Sequence, residues 1–334
     1  MSANALKDKT PLVSIVVPMY NVGSFSIPCV KSLAAQTYPN IEVLIIDDGS
    51  TDNTMRLVEK AVGDNRRFKI MHKKNGGLSS ARNYGNERSS GDYIMYVDGD
   101  DMIDPSAVDQ MVGAAMSFNV PFVVGSFEKT PPLETYEMEK GASFEVETGR
   151  ERLRKLLLLR GESGSACGKL FHRSLISQLV FPEGQLFEDL GVVAGICSHV
   201  DRLAFSGSPF YAYVTRPDSI TTVRGQGLKH VHDMERAVDA VRKACEKSGL
   251  EDELGCFQAM CTLRVAMRVS PNAFNDKEDY ISYLRRVRNL ASRVARSSLV
   301  SRAWRLRCAL FTISPKIHNI VYALYGALSG KAIC

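Results

Sequence analysis

The first hundred residues alternate between short apolar runs and segments whose apolar residues recur at helical spacing. Four runs have the length and composition of buried strands, at Val13–Pro18, Ile41–Ile46, Phe68–His72 and Tyr93–Val97. Strands that alternate with helices pair in parallel and are joined by right-handed crossovers. The order therefore predicts an α/β protein with a Rossmann-like, mostly parallel central sheet flanked by helices.

The pattern continues beyond the first hundred residues and then changes. A helix over 107–118 and an apolar strand over 121–125 follow. Segment 128–150 contains KTPPLE and many acidic residues, which predicts an exposed connector. At 334 residues, the chain is long enough for an α/β core of ~200–250 residues and a second part.

Cysteine usage and the N-terminal residues bear on the cellular compartment. The eight cysteines include no C-x-x-C pair, and Cys29, Cys197 and Cys245 lie in helical apolar patterns, which is typical of reduced, buried thiols. The segment MSANALKDKTP has no apolar signal core, and no run of about 18 apolar residues occurs. We therefore expect a cytoplasmic protein without a spanning helix.

Acidic residues follow two of the predicted strands where these strands end. The fourth run stops at Asp98, Asp100 and Asp101, and the second stops at Asp47-Asp48. Ligands of open α/β sheets bind outside the carboxyl ends of the strands. Carboxylates packed there repel one another unless a cation neutralises them, and such hard oxygen ligands suit Mg²⁺ or Mn²⁺ carrying phosphate groups. The pattern indicates a metal–diphosphate site; solvated or loop-capping acidic turns are the alternative.

Two further charged segments stand next to predicted helix starts. Gly76-Gly77 precedes a helix that carries Arg82, and free helix amides together with a guanidinium favour a diphosphate. The alternative is an ordinary helix with a surface arginine. Glu188 and Asp189 precede an apolar helix, so they are either first-turn residues that interact with the helix dipole or a catalytic base that faces the sheet edge.

Several other classes of site are disfavoured by the sequence. No G-x-G-x-x-G or Walker A sequence follows the first strand, which argues against a dinucleotide dehydrogenase or a P-loop enzyme. His230 and His232 would share a face only on a strand, so we do not expect them to bind a metal. The serines have no nucleophile-elbow context, so a hydrolytic triad is not supported.

Seven segments resemble, in order, the motifs of the family 2 glycosyltransferases, which are inverting enzymes with the GT-A fold. Within residues 11–222 they read VSIVVPMYN, SLAAQTYPNIEVLIIDDGSTDNT, NGGLSSARNYG, GDYIMYVDGDD, ACGKLFHRSLI, FPEGQLFEDL and YAYVTRPDSIT. These motifs are specific to the family but not to a substrate, since its members transfer many sugars. The resemblance implies transfer from a nucleotide-sugar, with a UDP-sugar favoured, to a glycan or lipid-linked saccharide in bacterial surface-polysaccharide synthesis.

The resemblance also implies roles for residues on the donor side. Pro18 and Tyr20 would line the uridine pocket, and Asp48 would bind the uracil. Arg82 would lie near the diphosphate. Asp98, the first acid of the DxD motif, would lie near the ribose.

The remaining roles concern the metal and the acceptor. Asp100, the second DxD acid, would bind the divalent metal, Mn²⁺ or Mg²⁺. Asp189, next to Glu188, would deprotonate the acceptor hydroxyl as that hydroxyl attacks the anomeric carbon from the face opposite the leaving nucleotide. Lys169 and Arg216 belong to the acceptor-side motifs.

The resemblance further implies a nucleotide-sugar-binding half at residues 11–127 and an acceptor-side half at residues 128–225. A tail at residues 1–10 and a helical C-terminal region at residues 226–334 are expected outside the family motifs. One departure from the family pattern is Cys167, because relatives often place a tryptophan near this motif; the shape of the acceptor pocket is therefore left open. Two alternatives are a catalytically inactive nucleotide-sugar-binding scaffold and a haloacid-dehalogenase-type phosphatase, whose DxD follows the first strand rather than the fourth.

The C-terminal region is strongly basic in a chain of net charge +5, because no acidic residue follows Asp279. Over 284–310, arginines alternate with apolar residues at helical spacing, and the apolar stretch 317–328 is too short to span a bilayer. This pattern predicts an interfacial helix that attaches the protein peripherally to anionic lipid at the inner face of the plasma membrane. A helical domain packed on the core or a dimer surface is the alternative. Nucleic acid is not an expected partner, since the aromatic residues form no stacking platform.

Overall fold

The computed structural model describes residues 10–138, 141–161, 164–215 and 227–321. The chain divides into two compact units. The first unit comprises Met1–Glu151 with Gly164–Pro217, and the second comprises Arg152–Ser163 with Asp218–Cys334. Arg216 and the apolar residues 322–328 lie outside the described residues.

The described part of the first unit contains a nine-stranded sheet. In chain order the strands are β1 Val13–Met19, β2 Ile41–Asp47, β3 Phe68–His72, β4 Tyr93–Tyr96, β5 Met102–Ile103, β6 Phe122–Thr130, β7 Glu145–Thr148, β8 Lys169–His172 and β9 Arg202–Val214. Their order across the sheet is β3-β2-β1-β4-β8-β6-β9-β5, and β7 pairs with β9. Strands β3, β2, β1, β4, β6 and β9 run in one direction, whereas β8, β5 and β7 run against it. The predicted mostly parallel α/β sheet is confirmed.

Helices flank the sheet and continue into the second unit. Their bounds are α1 Ser26–Ala34, α2 Thr54–Val62, α3 Leu78–Arg88, α4 Ala107–Phe118, α5 Gly149–Leu157, α6 Glu188–His199, α7 Leu228–Cys245, α8 Glu251–Ala266, α9 Lys277–Val294 and α10 Arg302–Ile313. All residues of β1 and β2 are buried. This explains why both read as continuous apolar runs, as expected for strands covered on two faces.

A glycine sets the distance between α3 and the sheet. A Cβ at Gly85 would lie 2.3 Å from Val16 Cγ1, which is far too close, so only glycine allows this approach of α3 to β1. Arg82 lies one turn earlier on the same helix. The close packing of α3 on the sheet therefore helps to hold the Arg82 side chain beside the carboxyl end of β4, where it binds Asp98.

The prediction that 128–150 is an exposed connector is wrong at both ends of that segment. Strand β6 runs on to Thr130, because its second half pairs with β9. Strand β7 pairs with the beginning of β9. The acidic composition that suggested a loop is compatible with edge strands whose side chains are partly exposed.

The second unit is helical in its described part, as predicted for the C-terminal region. The basic stretch 284–310 is divided between α9 and α10, and does not form one continuous helix. The apolar residues that gave the pattern are largely buried between these helices and α8, as for Val287, Ala291 and Phe311. Packing among the helices of the second unit therefore explains these residues.

Two further sequence predictions can be compared with the described residues. The seven cysteines in the described part of the chain are buried, as expected for core thiols. Among the helices that the structure describes, none is long and apolar enough to cross a membrane.

Candidate active site

The turn after β4 carries the acids of the DxD motif at the carboxyl edge of the sheet. The Asp98 side chain is 28% exposed, Asp100 is partly exposed and Asp101 is buried. A Cβ on Gly99 would lie 2.8 Å from the carbonyl oxygen of Pro18, so the turn packs directly against the end of β1 and requires glycine at its centre. Burial, with Asp98 and Asp100 nearby, raises the pKa of Asp101 to about 8.

Arg82 binds carboxylates from two distant parts of the sequence. Its Nη2 donates to Asp98 Oδ1 at 3.0 Å, and its Nη1 donates to Glu188 Oε1 at 2.9 Å and to Asp189 Oδ1 at 2.5 Å. The side chain is only 1% exposed, and the guanidinium carbon lies 5.2 Å from the centre of the Phe181 ring. One buried cation thus joins the donor-side acid to the two acids at the start of α6.

The charges in this cluster change the pKa values of Arg82 and Glu188. Although burial disfavours the charged guanidinium, Asp189 and Asp98 hold the pKa of Arg82 well above its ordinary value. Burial, and then the neighbouring Asp189, raise the pKa of Glu188 to about 7 against the opposing effect of Arg82. Glu188 is therefore partly protonated near neutral pH.

Asp189 is held by both of its carboxylate oxygens. Oδ1 accepts from Arg82, and Oδ2 accepts the main-chain N–H of Ala166 at 2.9 Å. Phe187, immediately before α6, has a left-handed backbone with φ of 61°, which is uncommon for a bulky residue. This bend precedes a first helical turn in which Glu188 and Asp189 both face Arg82. A position in the first turn of the helix is therefore compatible with the other interpretation of this pair, a catalytic base.

Asp48 lies at the end of β2 with both oxygens engaged by the loop that precedes α3. Oδ1 accepts from Lys73 Nζ at 2.5 Å, and Oδ2 accepts from the Gly77 N–H at 2.7 Å. The Gly76 N–H contacts both oxygens. Asp48 therefore holds the loop at 73–77 in place, and its predicted contact with a uracil stays a prediction.

The remaining predicted site residues lie in different environments. Pro18 is buried near the end of β1, and Tyr20, just beyond it, is 48% exposed. Lys169 is buried at the start of β8, where it pairs with Val124 of β6. Arg216 cannot be placed, because it lies outside the described residues.

Three side chains shape this site through contacts with Arg82 that the sequence did not predict. Cys167 is buried with its Sγ 3.8 Å from Arg82 Nη2, so a small thiol packs on the guanidinium. Phe181 and Tyr96 present their rings to the same group. Each lies within or beside a family motif, but no local pattern indicates that it would contact an arginine far away in sequence.

The donor set of the DxD turn fits a hard divalent cation. Asp98 and Asp100 offer carboxylate oxygens, and burial, followed by the charges of these two neighbours, raises the pKa of Asp101. Among the residues that the structure describes, no group of three or more His, Cys, Asp or Glu side chains is arranged to hold a metal. Mg²⁺ and Mn²⁺ sites of nucleotide enzymes commonly use one or two carboxylates and complete their coordination with phosphate and water. The residues therefore fit a metal that binds together with a diphosphate.

The sequence model described as "Glycosyl transferase family 2" matches residues 14–180. These residues are half of the chain and include the DxD turn, Asp48 and Arg82. The chain therefore belongs to glycosyl transferase family 2, and it is a transferase of the predicted class. This membership removes the support for the phosphatase alternative.

Individual relatives agree with the family assignment. The chain is 26% identical over 224 residues to "Glycosyltransferase GlyG" of Streptococcus pneumoniae serotype 4. The matched region covers 63% of this chain and 72% of that protein. It is 44% identical over 102 residues to "Hyaluronan synthase" of Pasteurella multocida, covering 30% of this chain and 10% of the synthase. It spans between 32% and 64% of the length of three further glycosyltransferase relatives.

The fold is also shared with a solved glycosyltransferase. The crystal structure of S. aureus TarS 1-349 in complex with UDP-GlcNAc superimposes with a TM-score of 0.65 and covers 97% of this chain and 93% of that chain. Sequence identity is 19%, so this likeness concerns the fold. The expected GT-A fold is confirmed.

Proposed function

We propose that the protein transfers a sugar from a UDP-sugar to a hydroxyl group of a glycan or lipid-linked saccharide, with inversion at the anomeric carbon, in bacterial surface-polysaccharide synthesis. The observation that carries this proposal is the buried guanidinium of Arg82, which holds Asp98 and Asp189 on its two sides. Donor-side and acceptor-side acids thereby meet at one edge of the sheet. A single-displacement transfer needs both groups within reach of the same anomeric carbon.

The donor pocket in this proposal lies along the ends of β1, β2 and β4. Tyr20 offers an exposed ring beside buried Pro18, and Asp98 offers a partly exposed carboxylate for the ribose. Asp48 contributes through the loop that it holds and through the predicted uracil contact. UDP is favoured over other nucleotides by the TarS structure, which was solved with UDP-GlcNAc.

Asp100, with Asp98 beside it, would hold Mn²⁺ or Mg²⁺ against the diphosphate. When bound there, the metal would stabilise the negative charge that develops on the leaving nucleotide. The chain's own contribution is to keep these carboxylates in a turn that Gly99 lets pack on β1. Arg82 is buried and committed to carboxylates, so we assign it to ordering the acids, with any effect on the diphosphate acting through Asp98.

Asp189 would accept the proton of the acceptor hydroxyl as that hydroxyl attacks. Its orientation is fixed by Arg82 and by the Ala166 N–H, so the carboxylate needs no reorganisation when the acceptor arrives. Glu188, with its pKa raised to about 7, supplies a neighbouring acid that is partly protonated at neutral pH. Inversion follows from one displacement without a covalent intermediate on the enzyme. Lys169 and Arg216 are assigned to the acceptor side through their motifs.

We further propose that the second unit contacts anionic lipid at the inner face of the plasma membrane. Within residues 302–321, five aliphatic side chains are exposed, Leu306, Ile313, Ile317, Ile320 and Val321. Exposed Arg302 and Lys316 belong to the same stretch of chain. Each basic residue near an anionic surface contributes about 1 kcal/mol to attachment, so a few such residues beside inserted aliphatic groups give salt-sensitive binding. Such attachment would suit a lipid-linked acceptor.

A donor panel tests the proposed reaction. Purified protein is incubated with UDP-, GDP-, dTDP- and CMP-sugars, Mn²⁺ or Mg²⁺, and oligosaccharide acceptors, and the released nucleotide is measured. We expect release from at least one UDP-sugar that depends on the metal and is stimulated by an acceptor. UDP binding without turnover of any donor would favour the inactive scaffold, and absence of UDP binding would refute the assigned donor.

A further inference from the structure

The hydroxyl group of Tyr211 joins two parts of the DxD turn. It accepts the main-chain N–H of Asp98 at 3.1 Å and donates to Asp101 Oδ2 at 2.6 Å. Tyr211 and Asp101 are each only 2% exposed. In addition, the Asp101 N–H donates to the carbonyl oxygen of Asp98 at 3.0 Å. The main chain of the turn is therefore fixed from both sides by buried groups.

The other oxygen of Asp101 reaches the end of strand β9. Oδ1 accepts the Val214 N–H at 2.8 Å, and Val214 is the last residue of that strand. Thr215 follows and donates its N–H to the carbonyl oxygen of Thr130 at 2.9 Å. One carboxylate thus ties the donor-side turn to the point where the chain leaves the sheet towards Arg216, which belongs to the acceptor-side motif.

The burial of Asp101 separates its role from the roles of its neighbours. Asp98 and Asp100 are partly exposed and can meet a ligand, whereas the Asp101 carboxylate is enclosed and satisfied by Tyr211 and Val214. Carboxylates that bind a metal and a diphosphate must be held within about 0.5 Å of their working positions by a supporting shell of hydrogen bonds. Tyr211 and Asp101 have the contacts of such a shell.

We propose that Asp101 and Tyr211 are positioning residues that set the DxD turn against the end of β9, so that the donor-side carboxylates and the acceptor-side strand are placed together. This inference rests on the proposed function. Neither residue touches the substrates. Each acts through the main chain of Asp98 and Val214.

Tyr211→Phe is the most selective test, because it deletes one oxygen and keeps the ring. The change leaves the Asp98 N–H and one Asp101 oxygen without their partner in a buried place, so the turn loses its fixed position. We expect the affinity for UDP in the presence of Mn²⁺ to fall by about 5-fold or more, in the range for loss of one intramolecular hydrogen bond.

Tyr136→Phe is the matched control. Tyr136 is 6% exposed and also binds β9, since its hydroxyl donates to the carbonyl oxygen of Pro209 at 2.5 Å. The same oxygen is deleted from a buried ring, but no hydrogen bond to the DxD turn is lost. We expect a similar loss of thermal stability in both variants and UDP affinity within about twofold of the parent for Tyr136→Phe.

The experiment is calorimetric titration of UDP into the full chain with saturating Mn²⁺, for the parent, both tyrosine variants and Asp101→Asn, with melting temperatures measured alongside. Weaker binding by Tyr211→Phe and Asp101→Asn, but not by Tyr136→Phe, supports the inference, and Asp101→Asn decides it if Tyr211→Phe does not fold. Equal effects in all three variants, or no effect in Tyr211→Phe, overturn it. If the parent does not bind UDP, the proposed function is wrong. If the parent binds UDP and Tyr211→Phe binds it equally well, only the inference is wrong.

Discussion

Replacing Arg82 by lysine should separate the charge of this residue from its geometry. Lysine keeps one positive charge, but a single ammonium group cannot hold Asp98 on one side and the Glu188–Asp189 pair on the other as the planar guanidinium does. It also loses the flat contact with Phe181. The expected structure retains one or two of the three hydrogen bonds and leaves the other carboxylates poorly paired.

The magnitude follows from the contacts that are lost. Hydrogen bonds to charged groups contribute about 1.5–3 kcal/mol each, so loss of one or two corresponds to about 1.5–6 kcal/mol of stability in the first unit. For a unit of this size, each kcal/mol lowers the melting temperature by about 2–4 °C, which gives a decrease of roughly 3–24 °C. Because Asp189 loses its orienting partner, we expect the transfer rate to fall by about 10²-fold.

Arg88→Lys is the matched control, and thermal unfolding together with nucleotide release is the assay. Arg88 is on the same helix, but it is exposed and pairs with exposed Glu87 at 3.1 Å. Exposed ion pairs contribute about 0–1 kcal/mol, so this variant should melt close to the parent and keep its activity. If Arg82→Lys melts within about 2 °C of the parent and keeps most of its transfer rate, the organising role of Arg82 is wrong.

Three further variants test the remaining assignments. Asp100→Ala should abolish most transfer while the protein remains folded, because strand β4 is untouched. If this variant keeps most of the transfer rate at saturating Mn²⁺, the metal assignment is wrong. Asp189→Asn should bind UDP within about threefold of the parent and lose about 10²-fold or more in rate, and a larger loss in Glu188→Gln would move the base to Glu188. Replacing Ile317 and Ile320 together by serine should reduce flotation with anionic liposomes at low salt without lowering the melting temperature; unchanged flotation would exclude this surface as the contact.

The strand ends and the acidic edge of the sheet could be predicted from the sequence for a simple physical reason. Buried parallel strands are apolar along most of their length, so the change from Val97 to Asp98 marks both the end of a strand and the start of a ligand-binding edge. The same reasoning located Asp48 after β2. These signals are local, because burial of a strand is written into consecutive residues.

The burial of Arg82 could not be predicted in that way. A helix start with glycines and an arginine indicates a phosphate site when only near neighbours are considered. The acids that bind Arg82 on α6 lie more than 100 residues later in the chain, and they meet it only because α3 and α6 begin at the same edge of the sheet. Tyr211 and Asp101 are separated by a similar distance along the chain. In the C-terminal region, a basic amphipathic pattern fits a packed bundle and a membrane-surface helix equally well.

These long-range contacts join the family motifs, which are far apart along the chain, into one site. Segment NGGLSSARNYG supplies Arg82, GDYIMYVDGDD supplies Asp98, and FPEGQLFEDL supplies Asp189, and one guanidinium gathers all three. Segments ACGKLFHRSLI and YAYVTRPDSIT add Cys167, against the same guanidinium, and Tyr211, which binds the N–H of Asp98. A change in any one segment therefore alters the electrostatic environment or the position of groups contributed by the others. This coupling gives a physical reason why several short, separated segments, rather than one continuous sequence, are needed to specify the site.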